Sequence, residues 1–232
     1  MDGLGRLLAS GRDADIFEYG SASVLRRART GRSMALEAKT MEYARSHGYP
    51  VPAVESLSDD GTDLVMERLD GPSMLGALER RPWALHRCAS ILADLHHALH
   101  EIPAPGWAAA APSGGGDRLL HLDLHPLNVI MTSRGPVVID WTNAVRGDPP
   151  LDVAVTWALM SCGEIPGGGA KVAVLGRFRA RLVKSFLAHF DLAPVRGRLA
   201  DAVSWKVHDA HLSDRERAAM RALARRQADL RP

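Results

Sequence analysis

The sequence is short of several things that would have placed it quickly. It has two cysteines, Cys88 and Cys162, with no paired spacing of the zinc or redox kind. They are expected as buried thiols in a reducing compartment. Neither charge dominates, with 29 Lys+Arg against 27 Asp+Glu. That balance gives no general drive toward nucleic acid or a membrane surface. No run approaches the roughly 18 apolar residues of a membrane span. The opening MDGLGRLLASGRDAD has no apolar core of signal-peptide length. A cytoplasmic protein without nucleic-acid or membrane partners is expected, as a monomer or weak dimer. No internal repeat is present, and no GxGxxG phosphate loop.

What is there changes character along the chain. The 232 residues suit one large domain or two small ones, with apolar content for a real core. IFEYGSASVLRR predicts two strands joined at Gly20-Ser21. Residues 33–46 predict a helix with Ser33 as N-cap. LVMERL at 64–69 is strand-like, and the following LDGPS breaks it. From Pro72 the pattern is mostly helical: Leu85, Cys88, Ile91, Leu92, Leu95 and Leu99 fall at helical spacing. PAPGWAAAAPSGGGD is too rich in Gly, Pro and Ala for a regular element. VIMTSRGPVVIDW predicts a hairpin turning near Ser133-Arg134-Gly135. Helices then start near Asp152, Ala170 and Ser213, the last with a Ser213–Glu216 capping box. The outline is a small β-rich lobe, 1–69, and a larger helical lobe, 70–232.

One stretch carries chemistry. HLDLHPLNV at 121–129 alternates polar and apolar residues from His121 to His125, as a half-buried strand does. The same alternation would put His121, Asp123 and His125 on one face, as in a metal site. A third reading is a catalytic loop, in which Asp123 handles a proton and Asn128 holds a metal ion. The downstream strand chooses. VVID at 137–140 is an apolar strand ending in a carboxylate, with no helix to cap until about Asp152. Asn128 and Asp140 flank one hairpin, whose two ends meet, so both oxygens could reach one ion. Mg²⁺ favours carboxylate, amide and phosphate oxygens. That is the requirement of phosphoryl transfer from a nucleotide, with an Asp nearby to receive the proton of the attacking hydroxyl.

HLDLHPLN followed by VVIDW resembles the catalytic segment of the aminoglycoside phosphotransferase family, a branch of the protein-kinase-like fold. The resemblance implies an α+β, two-lobe fold with a small β-rich N-lobe and a larger, mainly helical C-lobe. It makes Asp123 the catalytic base and Asn128 and Asp140 the Mg²⁺ ligands. It implies ATP or GTP as phosphate donor. It also implies a basic residue on an early strand, paired with a Glu on the next helix. The family's usual lysine is replaced here: VLR aligns Arg26 with it, and Arg27 stays open as the alternative, since neighbouring strand residues face opposite sides. Glu37 has support of its own. It shares a helical stripe with Met34, Met41 and Ala44, and a carboxylate on an apolar face needs a partner. LVMERLDG resembles the hinge, with Met66 just before it and backbone contacts to the adenine from Glu67 and Leu69. The phosphate-covering loop reduces to LLASGRDADIF, with Gly11 ahead of the first strand and N–H groups from Ser10 to Asp13 for a phosphate.

Other features have plainer readings. His96, His97 and His100 lack a closing metal ligand and are expected at the surface or core edge. Asp152 is an N-cap by its place at a helix start, and by the resemblance a brace for the catalytic loop's backbone. Trp141 is by the resemblance a packing residue beside the metal ligand. From Trp141 to Pro232 there are 15 Lys+Arg against 9 Asp+Glu, which predicts no acidic pocket for a polycation. A small hydroxyl-bearing metabolite or natural product is therefore expected as acceptor ahead of an antibiotic. The alternative is a nucleotide-binding module of the same fold with little catalysis.

Overall fold

A computed structural model describes residues 5–11, 13–164 and 169–229, with the backbone alone for 169–172. The N-terminal part, from Leu7 to Glu67, is built on an antiparallel five-stranded sheet in the order β1-β2-β3-β5-β4. Its strands are β1 (Leu7–Ser10), β2 (Ala14–Tyr19), β3 (Ser23–Ala28), β4 (Val54–Leu57) and β5 (Asp63–Glu67). The turn between β2 and β3 falls at Gly20, whose φ of 64° is open to a residue without Cβ. Helix α1 (Ala35–Ser46) lies between β3 and β4 in sequence and buries Glu37, Ala38, Met41 and Ala44.

Two details differ from the sequence expectation. The N-cap of α1 is Met34, not Ser33. Ser33 lies one residue earlier, and its Oγ accepts the Ala35 N–H at 3.3 Å. Gly11 does not precede the first strand. It sits in the tight β1–β2 connection, because the short strand β1 lies ahead of it. β1 is mostly exposed, so it lacks the hydrophobic alternation that would have marked it.

The rest is mainly helical: α2 (Met74–Arg80), α3 (Leu85–His100), α4 (Pro149–Cys162), α5 (Gly169–Leu187), α6 (Leu192–Lys206) and α7 (Asp214–Ala228). Ser213 and Glu216 form the full capping box of α7. α4 is buried on almost every face, with Leu151, Val153, Ala154, Val155 and Ala158 all inside, so no amphipathic stripe marks it. Between α3 and α4 lie two small pairings: β6 (Arg118–Leu120) with β9 (Val145–Gly147), and the hairpin β7 (Val129–Thr132) with β8 (Gly135–Val138).

The linker after β5 is fastened to that hairpin. Met131 donates to the Pro72 carbonyl at 2.9 Å, and Ser73 caps α2 through the Gly76 N–H at 3.1 Å. Gly71 has no room for a side chain: a Cβ there would lie 2.2 Å from the Met131 carbonyl oxygen, and φ is +156°. The LDGPS break is thus where the sheet's last strand is clamped onto β7. Among the described residues, no helix is long and apolar enough to cross a membrane.

Candidate active site

HLDLHPLN is not a strand. β6 ends at Leu120, and residues 121–128 form an irregular loop leading into β7. Leu122 turns the chain with φ 57°, a left-handed conformation costly for a branched side chain. Asp152 makes it tenable. Its buried carboxylate accepts the backbone N–H of His121 at 3.1 Å and of Leu122 at 2.7 Å, and the His100 Nε2–H at 3.0 Å. The N-cap reading of Asp152 is therefore wrong. α4 begins at Pro149, and Asp152 lies one turn inside it, turned toward the loop. Burial pushes this carboxyl up, but His100, then the charges of His96 and His121, overcome it and bring it to about 2.

Of His96, His97 and His100 on α3, His100 is thus the loop's support, not a surface group. His96 is fully buried against Thr156 Oγ1 at 3.0 Å and the Leu92 carbonyl at 2.8 Å. His97 alone stays exposed, stacked on Phe190. Among the described residues, no three His, Cys, Asp or Glu side chains gather to hold a metal.

Asp123 is held at both oxygens. Oδ2 accepts the Asn128 amide at 3.0 Å, and Oδ1 accepts the Lys206 ammonium at 2.9 Å. His125 Nε2 lies 3.7 Å from Oδ2. Burial would raise this carboxyl. His125, then Lys206, outweigh it and hold Asp123 well below the usual carboxylate range. The Asn128 amide nitrogen also donates to the Asp123 carbonyl at 3.0 Å, which leaves its Oδ1 as the uncommitted end.

The hairpin closes as its sequence requires. Ile139 N–H donates to the Asn128 carbonyl at 3.0 Å, so Asn128 and Asp140 stand at the two feet. Asp140 has φ 65°, and its side chain is 44% exposed in the cleft. With Leu122, it is one of two non-glycine residues with positive φ among those described.

Behind Asp140 lies an ion pair. Arg26 donates from Nη1 to Glu37 Oε1, and its Nη2 lies 3.5 Å from Asp140 Oδ1. Glu37 is only 6% exposed. Its Oε1 also takes the Trp141 N–H at 3.2 Å, and Oε2 takes the Thr142 hydroxyl at 3.1 Å. Sequence reasoning asked only for a cationic partner; the carboxylate in fact also pins the two residues after Asp140. Burial would lower the guanidinium's pKa, but Glu37, then Asp140, outweigh it and hold it above its ordinary value. Arg27 points away from the cleft and forks onto Asp63 at 2.7 and 2.5 Å.

One cleft of about 1630 Å³ is lined by Asp123, Asn128, Asp140, Arg26, Gly11, Met66, Glu67 and Leu69, with Glu37 behind the wall. Three groups differ from expectation. The Gly11 N–H is already spent on the Ala14 carbonyl at 2.9 Å. The Glu67 N–H is spent on the Ala53 carbonyl at 2.8 Å, so its carbonyl is what remains for a ligand. The helical end of the cleft does carry carboxylates, Glu164, Asp209 and Glu216, which a net charge count could not reveal. Each is engaged within the chain: Glu164 by Ser213 Oγ at 2.7 Å, Asp209 by Lys206 at 3.0 Å, Glu216 by the Ser213 N–H at 2.9 Å.

Lys206 was missed altogether. It ends α6, 4% exposed, on the same buried stripe as Val195, Leu199, Ala202 and Val203. Like Glu37, it is a charged residue on an apolar helical stripe, a pattern visible in the sequence.

Comparison with known structures decides the architecture. The gentamicin complex of the aminoglycoside phosphotransferase APH(2")-IIa superposes with a TM-score of 0.64 at 15% identity, covering 100% of this chain and 92% of that one. The fold is that of the aminoglycoside phosphotransferases. A thermostable mutant of APH(4)-Ia with ADP and hygromycin B gives a TM-score of 0.62 at 14% identity, covering 97% and 94%. Residues 106–198, which contain the catalytic-loop motif and the hairpin, match the model of the phosphotransferase enzyme family. Streptomycin 6-kinase of Streptomyces griseus is 27% identical over a match spanning 45% of this chain and 44% of that one, less than half of either protein. The resemblance read from HLDLHPLN and VVIDW is thus to the family these comparisons find.

Proposed function

We propose that this protein transfers the γ-phosphate of ATP or GTP to a hydroxyl of a small molecule, with Mg²⁺. The observation that carries the proposal is the convergence at the hairpin feet. Asn128 turns its amide nitrogen onto Asp123 and leaves its oxygen free, while Asp140 extends from the other foot into the same cleft. Two oxygen ligands without a third carboxylate suit Mg²⁺, which completes its shell with phosphate oxygens and water. Bound there, the ion would neutralise charge on the donor's phosphates.

The chain's own groups do the rest. Asp123, fixed at both oxygens and ionised, orients the acceptor hydroxyl and receives its proton. Arg26 braces the phosphates, and Glu37 holds Arg26 in place. The carbonyl of Glu67 and the N–H of Leu69, next to Met66, meet the base of the nucleotide. Residues 1–69 hold the nucleotide in this scheme, and 70–232 supply the catalytic loop and acceptor wall. Of the carboxylates at the helical end, Asp209 is neutralised by Lys206, while Glu164 and Glu216 accept only from neutral donors and keep their charge. The basic balance of residues 141–232 still favours a hydroxylated metabolite or natural product over a polycation.

A binding module with little catalysis is the second reading. It is favoured by the contact of Arg26 with Asp140 and by the spent N–H of Gly11. A screen of hydroxylated acceptors, streptomycin and gentamicin included, with ATP and GTP separates the two by nucleotide turnover. Mg²⁺-dependent turnover with a weakly charged acceptor is expected. Thermal stabilisation by Mg-nucleotide without turnover on any acceptor would favour the module. Fast phosphorylation of streptomycin would overturn the acceptor class.

A further inference from the structure

Lys206 is a buried ammonium that reaches the catalytic loop from the far end of the chain. Its Nζ lies 2.9 Å from Asp123 Oδ1 and 3.0 Å from Asp209 Oδ2, and 5.5 Å from the centroid of the Trp205 ring. Burying an ammonium is costly, and a lysine at a helix end could have reached solvent instead. Burial alone would neutralise it, but Asp123, then Asp209, outweigh burial and keep it charged. An ammonium has three N–H donors, and these two carboxylates use two of them. Lys206 also lines the cleft, so the third has an opening toward it.

We propose that Lys206 is a further catalytic residue of the phosphoryl-transfer site, whose free N–H donates to an oxygen of the phosphoryl group in flight. The proposal rests on the phosphotransferase function above. In that reaction the acceptor O–H gives its proton to Asp123. A bond forms from that oxygen to the γ-phosphorus. The bond from phosphorus to the bridging oxygen breaks, and the nucleoside diphosphate leaves. Reacting atoms in such a step start about 3–3.5 Å apart. A hydroxyl seated on Asp123 therefore brings the phosphoryl oxygens close to any group already bonded to that carboxylate. Charge passes through those oxygens in the transition state, and a preplaced ammonium stabilises it without reorganising. Asp209 is the second anchor, keeping Lys206 from swinging out.

The test uses the full chain, with Lys206→Met and the milder Asp209→Asn. Affinity for Mg-ADP is measured alone and with aluminium fluoride, a planar mimic of the phosphoryl in flight. Mg-ATP hydrolysis is followed in parallel. Lys206→Met is expected to lose roughly 10²- to 10³-fold in kcat and in affinity for the fluoride complex. Its Mg-ADP affinity and ATP KM should stay within about twofold, with a smaller kcat loss for Asp209→Asn. Unchanged affinity for the fluoride complex in Lys206→Met would overturn the proposal. So would losses that track Mg-ADP affinity and melting temperature in both variants, since that is the mark of a purely structural tether. A wild type that binds no Mg-ADP would contradict the function proposed above, whereas a wild type that binds Mg-ADP and its fluoride complex, with Lys206→Met binding both equally well, would overturn the role of Lys206 alone.

Discussion

The two sides of the cleft are built differently. On the side proposed for the nucleotide, Arg26, Glu37, Asn128 and Asp140 come from one sheet strand, one helix and the two feet of one hairpin. On the side proposed for the acceptor, Lys206, Asp209 and Glu164 come from α6 and from the segments after α6 and α4, with Asp152 of α4 buried behind the loop. Within the first group, Arg26 and Glu37 lie 11 positions apart and Asn128 and Asp140 flank one hairpin, so each pair is set locally, although Glu37 then meets Trp141 across 104. The second is assembled by helix packing over long sequence separations; Lys206 meets Asp123 across 83 positions.

The sharpest way to break this comparison is at its meeting point. Asp123→Asn should lower kcat by roughly 10³-fold while Mg-ATP affinity, read by titration calorimetry, stays within about twofold. An equal loss of nucleotide binding would mean the two sides are not separable. Asp140→Ala should do the reverse, weakening Mg-nucleotide binding by roughly 10²-fold in the same titration, since removing one of the ion's two proposed protein ligands should cost no less than removing a ligand's hydrogen-bond partner.

Stability separates the sides next. Glu37→Ala leaves Arg26 buried with only Asp140 nearby and unpins Trp141 and Thr142. A loss of about 3 kcal/mol is expected, read by urea unfolding. Arg27→Ala, one strand position from Arg26, breaks only a half-exposed pair with Asp63 and should cost less than about 1 kcal/mol.

A further effect is in pH. Burial brings His96 down to about 4, below its unfolded value of 6.5, so the folded state favours the neutral ring. Its contribution is complete above pH 6.5 and lost as pH falls toward 4, where the unfolded chain binds the extra proton. Melting temperature should decline over that window, and His96→Gln should flatten the decline.

Legibility in the sequence followed the same division. The β2–β3 pair, the β7–β8 hairpin and the α7 capping box were visible because turns and caps use particular residues at fixed offsets. β1 was not, because an exposed four-residue edge strand carries no alternation. Asp152 was legible as a brace only through family resemblance; its position near a helix start pointed to capping, and the backbone amides it serves lie 30 residues or more away. Lys206 shows the limit most clearly. Its apolar stripe was readable, but no local pattern named Asp123 as its partner.

The central claim is that the feet of one hairpin and the loop before it form a site that moves phosphate. Transfer of labelled γ-phosphate from Mg-ATP to a hydroxyl acceptor, compared between the wild type and Asp123→Asn, tests it directly. The account predicts label on the acceptor for the wild type, none above background for the variant, and equal Mg-ATP affinity in both. Equal transfer by the variant, or a wild type that binds no Mg-ATP, would contradict it.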